Sequence, residues 1–278
     1  MLTITQLKDL FAKYDFKPLK RYGENYLIDA NIKDKIIAEL AIRPDDTVLE
    51  IGPGLGALTI DIASSGACVH AIEKDRKAFT ILRQLLDNDF PNLELARGDI
   101  LEADIERIAG GKRLVVAGNL PYYITSPIIE KLIASAAFID RAVILVQKEF
   151  AERILAEPGS KTYSSFSCFV RYYAAASYSH TVKRTSFYPE PDVDSAIVRL
   201  DFLRKPAVAV SDEKLLFKII RGSFNQRRKI VLNSLSRVEV LDMPKDDLTR
   251  LLAKARIDPT VRPETLSLDD FARIANTL

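Results

Sequence analysis

The chain has 278 residues, 47% hydrophobic and 28% charged, with a net charge of +2, which excludes a disordered protein and allows a large globular core. Its two cysteines, which lack CxxC spacing, and its two histidines exclude a disulfide framework and disfavour a zinc site or a Ser-His-Asp relay. No apolar run approaches the ~20 residues of a membrane span, and no signal peptide is visible, so we expect a cytoplasmic protein without metal or membrane partners.

Short apolar strands alternate with amphipathic helices through the first two-thirds of the chain, which predicts a doubly wound, mostly parallel sheet of the Rossmann-like α/β class. The predicted strands are Thr47–Ile51, Ala67–Glu73, Leu93–Arg97, Leu114–Ala117 and Ala142–Gln147. The predicted helices are Ala57–Ser64, Arg76–Leu86, Glu102–Ala109 and Ser126–Ala136. Two further strands, Ser167–Ala176 and Ser195–Phe202, complete a seven-stranded sheet, and we expect them to form an antiparallel hairpin at its edge because no long helix fits between them.

The composition changes after Lys205-Pro206, where strands stop and only helical patterns remain. Ser211 is a plausible helix N-cap, and Pro244 and Pro263 interrupt the pattern. The sequence therefore predicts two domains, residues 1–205 with the sheet and residues 206–278 as a small all-helical domain. The four predicted helices are residues 211–224, 226–236, 246–256 and 267–277.

A glycine-rich loop, Glu50-Ile-Gly-Pro-Gly-Leu-Gly56, follows the first predicted strand directly. Glycines allow a tight turn and a close approach of backbone amides to a ligand. The spacing is neither that of dinucleotide enzymes nor that of a P-loop. Glu73 ends the second strand, where a carboxylate can accept both hydroxyls of a ribose. Glu73 alone would fit a nicotinamide cofactor equally well.

Two more polar groups follow the third and fourth strands. Asp99 could accept the amine of a cofactor adenine while Ile100 packs on the ring, and Asn119 opens the sequence Asn119-Leu-Pro-Tyr122. Ligands bind such sheets at the carboxyl ends of the strands. Gly52, Glu73, Asp99 and Asn119 together therefore indicate S-adenosyl-L-methionine as the cofactor.

The Asn-Leu-Pro-Tyr sequence suits a flat ring that carries an amine. The Asn119 side-chain oxygen and the Leu120 carbonyl can accept both amine protons, and the ring of Tyr122 can stack on the base. Proline fixes φ, which sets the angle of the Leu120 carbonyl. An ordinary turn at the end of a strand is the alternative interpretation of these four residues.

Over nearly its whole length the chain resembles the rRNA adenine N6,N6-dimethyltransferases, specifically the KsgA type. The matching motifs are Gly23-Glu-Asn-Tyr-Leu-Ile-Asp29, Glu50–Gly56, Gly98-Asp-Ile100, Gly118-Asn-Leu-Pro-Tyr122, Gln147-Lys-Glu149, Pro189-Glu-Pro-Asp-Val-Asp-Ser-Ala196 and Phe224-Asn-Gln-Arg-Arg-Lys229. The chain departs from the family pattern at Glu24, Tyr26, Asp192 and Tyr123. Glu24 adds a carboxylate near a cationic cofactor and anionic RNA, where it could change affinity.

The resemblance implies dimethylation of two adjacent adenosines near the 3′ end of small-subunit (16S) rRNA, within an assembling ribosomal particle and by a monomer. It also implies that Asn25 and Leu27 border the cofactor. Phe187 would cover the face of the flipped-out base opposite Tyr122, and a core aromatic before a turn is the alternative interpretation of Phe187.

Positive charge is concentrated at the two ends of the chain. Residues 1–35 carry 7 Lys and Arg against 5 Asp and Glu, and residues 203–278 carry 15 against 10, around a mildly acidic middle. This pattern indicates a polyanionic partner. The predicted RNA contacts are Lys17, Lys20, Arg21, Arg221, Arg227, Arg228 and Lys229.

Three other functions fit parts of the sequence. An Erm-type methylase of large-subunit RNA shares similar Asn-Leu-Pro-Tyr chemistry but resembles residues 189–229 less. A methyltransferase-like assembly or transcription factor would depend on binding more than on catalysis. A nicotinamide dehydrogenase lacks support, because its glycine spacing is absent and it leaves Asn-Leu-Pro-Tyr unexplained.

Overall fold

The computed structural model describes residues 2–18, 25–86, 89–238 and 241–278. The chain forms two compact units. The sheet unit comprises Met1–Ala151 and Ser177–Phe202, and the helical unit comprises Glu152–Ala176 and Leu203–Leu278. No helix in the described ranges is long and apolar enough to cross a membrane.

A seven-stranded, mostly parallel sheet organises the sheet unit and confirms the predicted fold class. Its strands are β2 (Thr47–Ile51), β3 (Cys68–Glu73), β4 (Leu93–Arg97), β5 (Leu114–Asn119), β6 (Ile139–Gln147), β7 (Ala174–Val182) and β9 (Ser195–Phe202). The order is β4-β3-β2-β5-β6-β9-β7, with β9 antiparallel to β6. The chain order reverses between β2 and β5, which is where ligands bind in sheets of this kind.

The helices of the sheet unit are α1 (Ile4–Lys13), α2 (Ala30–Leu40), α3 (Thr59–Ser64), α4 (Arg76–Leu86), α5 (Ile105–Ala109), α6 (Thr125–Ala134) and α7 (Lys148–Leu155), the last of which continues into the helical unit. Helices α3 to α6 lie at the four predicted positions, with differences of a few residues at their ends. The sequence pattern did not predict α1, α2 or α7. A two-stranded antiparallel sheet joins β1 (Tyr26–Leu27) to β8 (Phe187–Tyr188).

The predicted strand Ser167–Ala176 is wrong over most of its length. Residues Ser165–Tyr173 form a helix, α8, and β7 begins only at Ala174. Ser164 is the N-cap of α8, and its backbone N–H donates a hydrogen bond to Ser167 Oγ (3.1 Å). The β7 strand still lies beside β9 at the edge of the sheet.

The helical unit has its own hydrophobic core. Its helices after residue 203 are α9 (Glu213–Phe224), α10 (Val231–Leu235), α11 (Lys245–Lys254) and α12 (Leu268–Thr277). Tyr163, Cys168 and Tyr172, which precede residue 205, belong to the same core as Leu216 and Phe271. The prediction placed residues 152–176 in the sheet domain, because its boundary was at residue 205. In the structure these residues belong to the helical unit, where aromatic side chains such as Tyr172 pack on α9.

Helix boundaries in this unit differ from the predictions by a few residues. Asp212, not Ser211, is the N-cap of α9, and its side chain accepts a hydrogen bond from the Leu215 backbone (2.9 Å). The predicted helix 226–236 is reduced to α10, because residues 225–229 form turns. Pro244 directly precedes α11, as expected of a residue that interrupts a preceding helix.

Candidate active site

A cavity of about 460 Å³ opens at the carboxyl ends of β2, β3, β4 and β5. All six residues that the sequence assigned to the cofactor line it, namely Asn25, Leu27, Gly52, Glu73, Asp99 and Asn119. Gly52, Glu73, Asp99 and Asn119 end or follow parallel strands whose carboxyl ends meet at this edge of the sheet, whereas Asn25 and Leu27 reach the cavity from the segment at β1.

The glycine loop is held against Glu73. The backbone N–H of Gly54 donates to Glu73 Oε2 (2.9 Å), and that of Asp75 donates to Oε1 (2.7 Å). Gly54 has φ +58°, and a Cβ there would lie 3.1 Å from a ring carbon of Tyr26. Burial raises the pKa of Glu73 above its usual value. Each carboxylate oxygen keeps a lone pair for a further donor, which is what a ribose diol would need.

Asp99 faces the same cavity and is ionised. Lys74 Nζ donates to Asp99 Oδ2 (2.6 Å), and the Leu101 backbone N–H donates to Oδ1 (3.0 Å). The hydrogen bond from Lys74 holds the pKa of Asp99 below its usual value. An ionised carboxylate only accepts hydrogen bonds, so it selects an amine over a carbonyl oxygen.

Glu50, near the end of β2, also lines the cavity. The sequence motif contained Glu50 but gave it no separate role. Glu50 is 2% exposed, and its Oε2 atom has no hydrogen-bond partner among the described residues. Burial raises the pKa of Glu50 to about 8. A buried carboxyl oxygen without a hydrogen-bond partner is costly, so a cationic ligand near Glu50 Oε2 would relieve that cost.

The Asn119 carboxamide has a fixed orientation. Its Nδ2 donates to the backbone carbonyl of Asn25 (2.9 Å), so Oδ1 is the atom left to accept a hydrogen bond. The turn after it is short: Pro121 has φ −59°, and residues Tyr122–Ile124 form a 3₁₀ helix. Thr125 Oγ1 donates to the Pro121 carbonyl (3.0 Å) and stabilises this turn.

Leu120, Tyr122 and Phe187 do not line the cavity. The Leu120 side chain is buried, and Tyr122 is half-buried with its hydroxyl 2.7 Å from Ser195 Oγ. Burial also raises the pKa of Tyr122. Phe187 is 2% exposed, pairs with Leu27 and lies in the hydrophobic core. Stacking of Phe187 on a base stays a prediction, and it requires the ring to become accessible.

The charges around the cavity decide which class of ligand fits. Four carboxyl groups line it, Glu50, Glu73, Asp75 and Asp99, against the two cations Lys74 and Arg76. An acidic wall disfavours the diphosphate of a nicotinamide cofactor and suits a ligand with positive charge. S-adenosyl-L-methionine carries a sulfonium, an amine, a ribose diol and an adenine amine, so these residues fit it.

Comparisons with known proteins agree with this geometry. Residues 16–278 match the family model described as ribosomal RNA adenine dimethylase. The chain belongs to that family. It is 40% identical over 99% of its length to the ribosomal RNA small subunit methyltransferase A of Bacillus cytotoxicus, covering 96% of that protein. The corresponding protein of Moorella thermoacetica is 43% identical over 94% of this chain and 92% of its own length.

Solved structures show the same fold. A dimethyladenosine transferase from Plasmodium falciparum superposes with a TM-score of 0.79 at 29% identity, over 90% of this chain and 95% of its own. The 23S rRNA methyltransferase ErmE superposes with a TM-score of 0.73 at 26% identity, over 91% of this chain and 99% of its own. This dimethylase is therefore an S-adenosyl-L-methionine-dependent enzyme that acts on rRNA. Within the described residues, no group of three or more His, Cys, Asp or Glu side chains is placed to bind a metal.

The dimethylase places its predicted RNA-contacting residues in different environments. Arg221, Arg228 and Lys229 of the helical unit are exposed. Arg227 is not free, because its Nη2 donates to the Lys161 carbonyl (2.9 Å) and its Nε lies 3.4 Å from a Glu264 carboxylate oxygen. Lys17 is exposed, whereas Lys20 and Arg21, like Glu24, lie outside the described residues.

Several cavity residues had no role predicted from the sequence, among them Glu50, Lys74 and Tyr123. Lys74 directly follows Glu73, the last residue of β3, so its position at the cavity could have been inferred from that of Glu73. Tyr123 was noted only as a departure from the family pattern, yet its ring is half exposed at this cavity. The buried state of Glu50 was visible in the sequence only as an acid between apolar strand residues.

Proposed function

We propose that this dimethylase transfers methyl groups to the N6 amines of two adjacent adenosines near the 3′ end of small-subunit rRNA. The proposal extends to a monomeric enzyme that acts in the cytoplasm on an assembling ribosomal particle. Relatives at 40% and 43% identity are named for the small subunit, whereas the large-subunit enzyme ErmE is 26% identical. The unpaired cysteines Cys68 and Cys168 are compatible with a reducing compartment.

One observation carries the catalytic part of the proposal, the hydrogen bond from Asn119 Nδ2 to the Asn25 carbonyl (2.9 Å). Because Nδ2 is engaged in this way, Asn119 Oδ1 is the atom available to accept a hydrogen bond from the substrate. Asn119 Oδ1 and the Leu120 carbonyl accept the two protons of the adenine amine. These hydrogen bonds draw the nitrogen toward tetrahedral geometry, and its lone pair, otherwise conjugated with the ring, becomes available.

The rest of the site positions the two reactants. Bound S-adenosyl-L-methionine supplies a methyl group on a positively charged sulfur. Glu73 would accept hydrogen bonds from the ribose diol of the cofactor, Asp99 would accept one from its adenine amine, and Glu50 would balance its positive charge. Tyr122, fixed by Ser195, stacks on the base that has left its helix or loop, and this contact offsets part of the unstacking cost. The amine proton passes to water, so no protein base is needed.

Replacement of Asn119 tests the catalytic assignment. Asn119→Ala removes the acceptor, and we expect methyl transfer to fall at least about 100-fold, because misplacement of a reacting group costs that much. Affinity for S-adenosylhomocysteine, measured by calorimetry, should stay within a few-fold of wild type. Equal loss of both would contradict a role for Asn119 in the transfer step.

The RNA target is tested in cells that lack the protein. Mass spectrometry of nucleosides from purified small-subunit rRNA should show no N6,N6-dimethyladenosine in the null strain and its return on complementation. Loss of the modification from large-subunit rRNA instead would identify an Erm-type enzyme. If Asn119→Ala restores growth and particle assembly without the modification, binding rather than catalysis is the main role.

A further inference from the structure

Helices α1 and α4 form one continuous surface of the sheet unit. Tyr14, at the end of α1, donates its hydroxyl proton to Gln84 Oε1 of α4 (2.5 Å). Lys77 Nζ of α4 donates to the Asp15 carbonyl (2.5 Å). Beneath these contacts, Leu7 of α1 and Ile81 of α4 belong to one buried apolar cluster. The two elements are therefore fixed to each other within this unit.

The outward face of α4 carries positive charge only. Lys77 and Gln84, seven residues apart, lie on the same stripe of the helix and contact the end of α1. The neighbouring stripe holds Arg76, Thr80 and Arg83, all exposed. Arg76 and Arg83 are about 10.5 Å apart along the helix axis. Within the described residues neither guanidinium makes a hydrogen bond or an ion pair, and α4 contains no acid.

The adjoining segment 2–18 adds further cations. Lys13 Nζ lies 5.2 Å from the ring centre of Tyr14, and Lys8 Nζ lies 5.7 Å from that of Tyr188. In residues 2–18 and 76–86, the exposed charged side chains are six cations, Lys8, Lys13, Lys17, Arg76, Lys77 and Arg83, and two acids, Asp9 and Asp15. The whole chain has a net charge of only +2, so this surface concentrates positive charge.

The position of this surface indicates what it binds. Arg76 lines the cofactor cavity, and so does Tyr26, whose ring packs against Phe11 of α1 (centroids 5.6 Å apart). Lys13, Lys17 and Arg83 do not line the cavity, so they do not hold the cofactor. A polyanion that reaches the cavity mouth would benefit from them.

We propose that the α1–α4 surface, with Lys13, Lys17, Arg76 and Arg83, binds the phosphate backbone of the RNA substrate beside the target adenosine. The proposal rests on the rRNA-methylating function given above. It adds Lys13, Arg76 and Arg83 on the sheet unit to Lys17 and to the basic residues of the helical unit that the sequence predicted as RNA contacts. Such contacts fix the register of the RNA without reading its sequence.

The test compares two double variants of the full-length enzyme. Lys13→Gln with Arg83→Gln removes two cations from the surface but none from the cavity lining. Lys35→Gln with Arg43→Gln removes one exposed lysine and one exposed arginine elsewhere in the sheet unit. Binding to purified small ribosomal subunits that lack the modification is measured across a KCl series, together with S-adenosylhomocysteine affinity and thermal stability.

For Lys13→Gln with Arg83→Gln, we expect the slope of log affinity against log salt to become shallower by about 1.4 to 1.8, at about 0.7 to 0.9 per lost phosphate contact. S-adenosylhomocysteine affinity should be unchanged, and the control pair should bind like wild type. Equal losses in both pairs, or an unchanged slope, would overturn the proposal. If wild type methylates but the surface variant binds normally, only this inference fails; if wild type does not methylate, the proposed function fails first.

Discussion

Glu50 connects the stability of the fold to the binding of a cation. Burial raises its pKa to about 8, and the charge of Glu73 adds to this effect. Because the folded pKa exceeds the unfolded value of 4.5, the folded state keeps a proton that the unfolded state loses. The contribution of Glu50 to stability therefore falls as pH rises from about 4.5 to 8, and the penalty is complete above that range.

Glu50→Gln should remove this pH dependence, because a neutral amide has no proton to lose. We expect the variant to exceed wild type in free energy of unfolding at pH 9 by up to a few kcal/mol, and to match it near pH 4.5. Urea denaturation at pH 5, 7 and 9 measures the difference. Glu130→Gln, at an exposed position of α6, is the control and should leave the profile unchanged.

Ligand binding should also release a proton from Glu50. At pH 7 the carboxyl group of the free enzyme is mostly protonated, and a cationic ligand favours its ionised form. Calorimetry with S-adenosyl-L-methionine in phosphate and in Tris buffer should give between half a proton and one proton released per site. The release should disappear in Glu50→Gln, and equal release by both proteins would assign the proton to another group.

The sequence could predict the site residues that lie at or just after the carboxyl end of a predicted strand. Glu73, Asp99 and Asn119 each follow the strand-and-loop pattern, and the sheet places all three at one cavity. The state of Glu50 could not be predicted, since an acid within an apolar strand reveals neither its burial nor its missing partner. For Phe187 the sequence allowed both a stacking role and a core role, and only the structure shows that its ring is buried.

The turn at the glycine loop depends on one close contact with α4. Gly56 has φ +84°, and a Cβ there would lie 2.8 Å from Leu82 Cδ1. Gly111 has the same φ but no atom within 4 Å of a Cβ. Gly56→Ala and Gly111→Ala share the left-handed strain, of about 1 kcal/mol. Gly56→Ala should cost about 1–3 kcal/mol more, as overpacking does, measured by urea denaturation. Equal costs would show that the loop absorbs the contact.

The misassigned helix α8 shows where local pattern gives way to packing. The run from Phe166 to Tyr173 is rich in aromatic residues that favour strands. In the structure Phe169, Tyr172 and Tyr173 follow helical spacing, and each ring contacts Phe217 of α9, with centroids 5.2, 5.1 and 6.1 Å away. Because Phe217 is more than 40 residues further along the chain, the sequence of α8 alone did not reveal this partner.

Two adjacent arginines after α9 should have separable roles. Arg227 is bound to the Lys161 carbonyl and Glu264, whereas Arg228 is exposed. Arg227→Gln should lower the free energy of unfolding by about 1 kcal/mol, through loss of these contacts. Arg228→Gln should leave stability unchanged and make the salt dependence of RNA binding shallower by about 0.7 to 0.9 in slope. Thermal denaturation and salt-series binding on both variants measure the two effects, and a reversal of the pattern would contradict this assignment.

At the scale of the whole molecule, the sequence located the change from sheet to helices but not the exact units. In residues 206–238 and 241–278 the structure contains helices and turns but no strand. Residues 152–176 nevertheless pack with the helical unit, because Tyr163 and Cys168 are buried beside residues of α9. The chain thus leaves the sheet unit, returns with most of β7, and leaves again after β9. Such a path depends on contacts between segments far apart in sequence.

The uneven charge of the whole chain should make RNA binding much more sensitive to salt than cofactor binding. Cations at both ends attract an RNA polyanion, and their binding releases counterions, so affinity for small ribosomal subunits should fall steeply with KCl. Glu50 and Glu73 of the cofactor cavity are buried, so S-adenosylhomocysteine affinity should change less than about threefold between 50 and 300 mM KCl, since screening acts weakly on buried charges. Filter binding and calorimetry at four salt concentrations measure both. An RNA affinity as flat as that of the small ligand would show that the exposed cations do not contact phosphates.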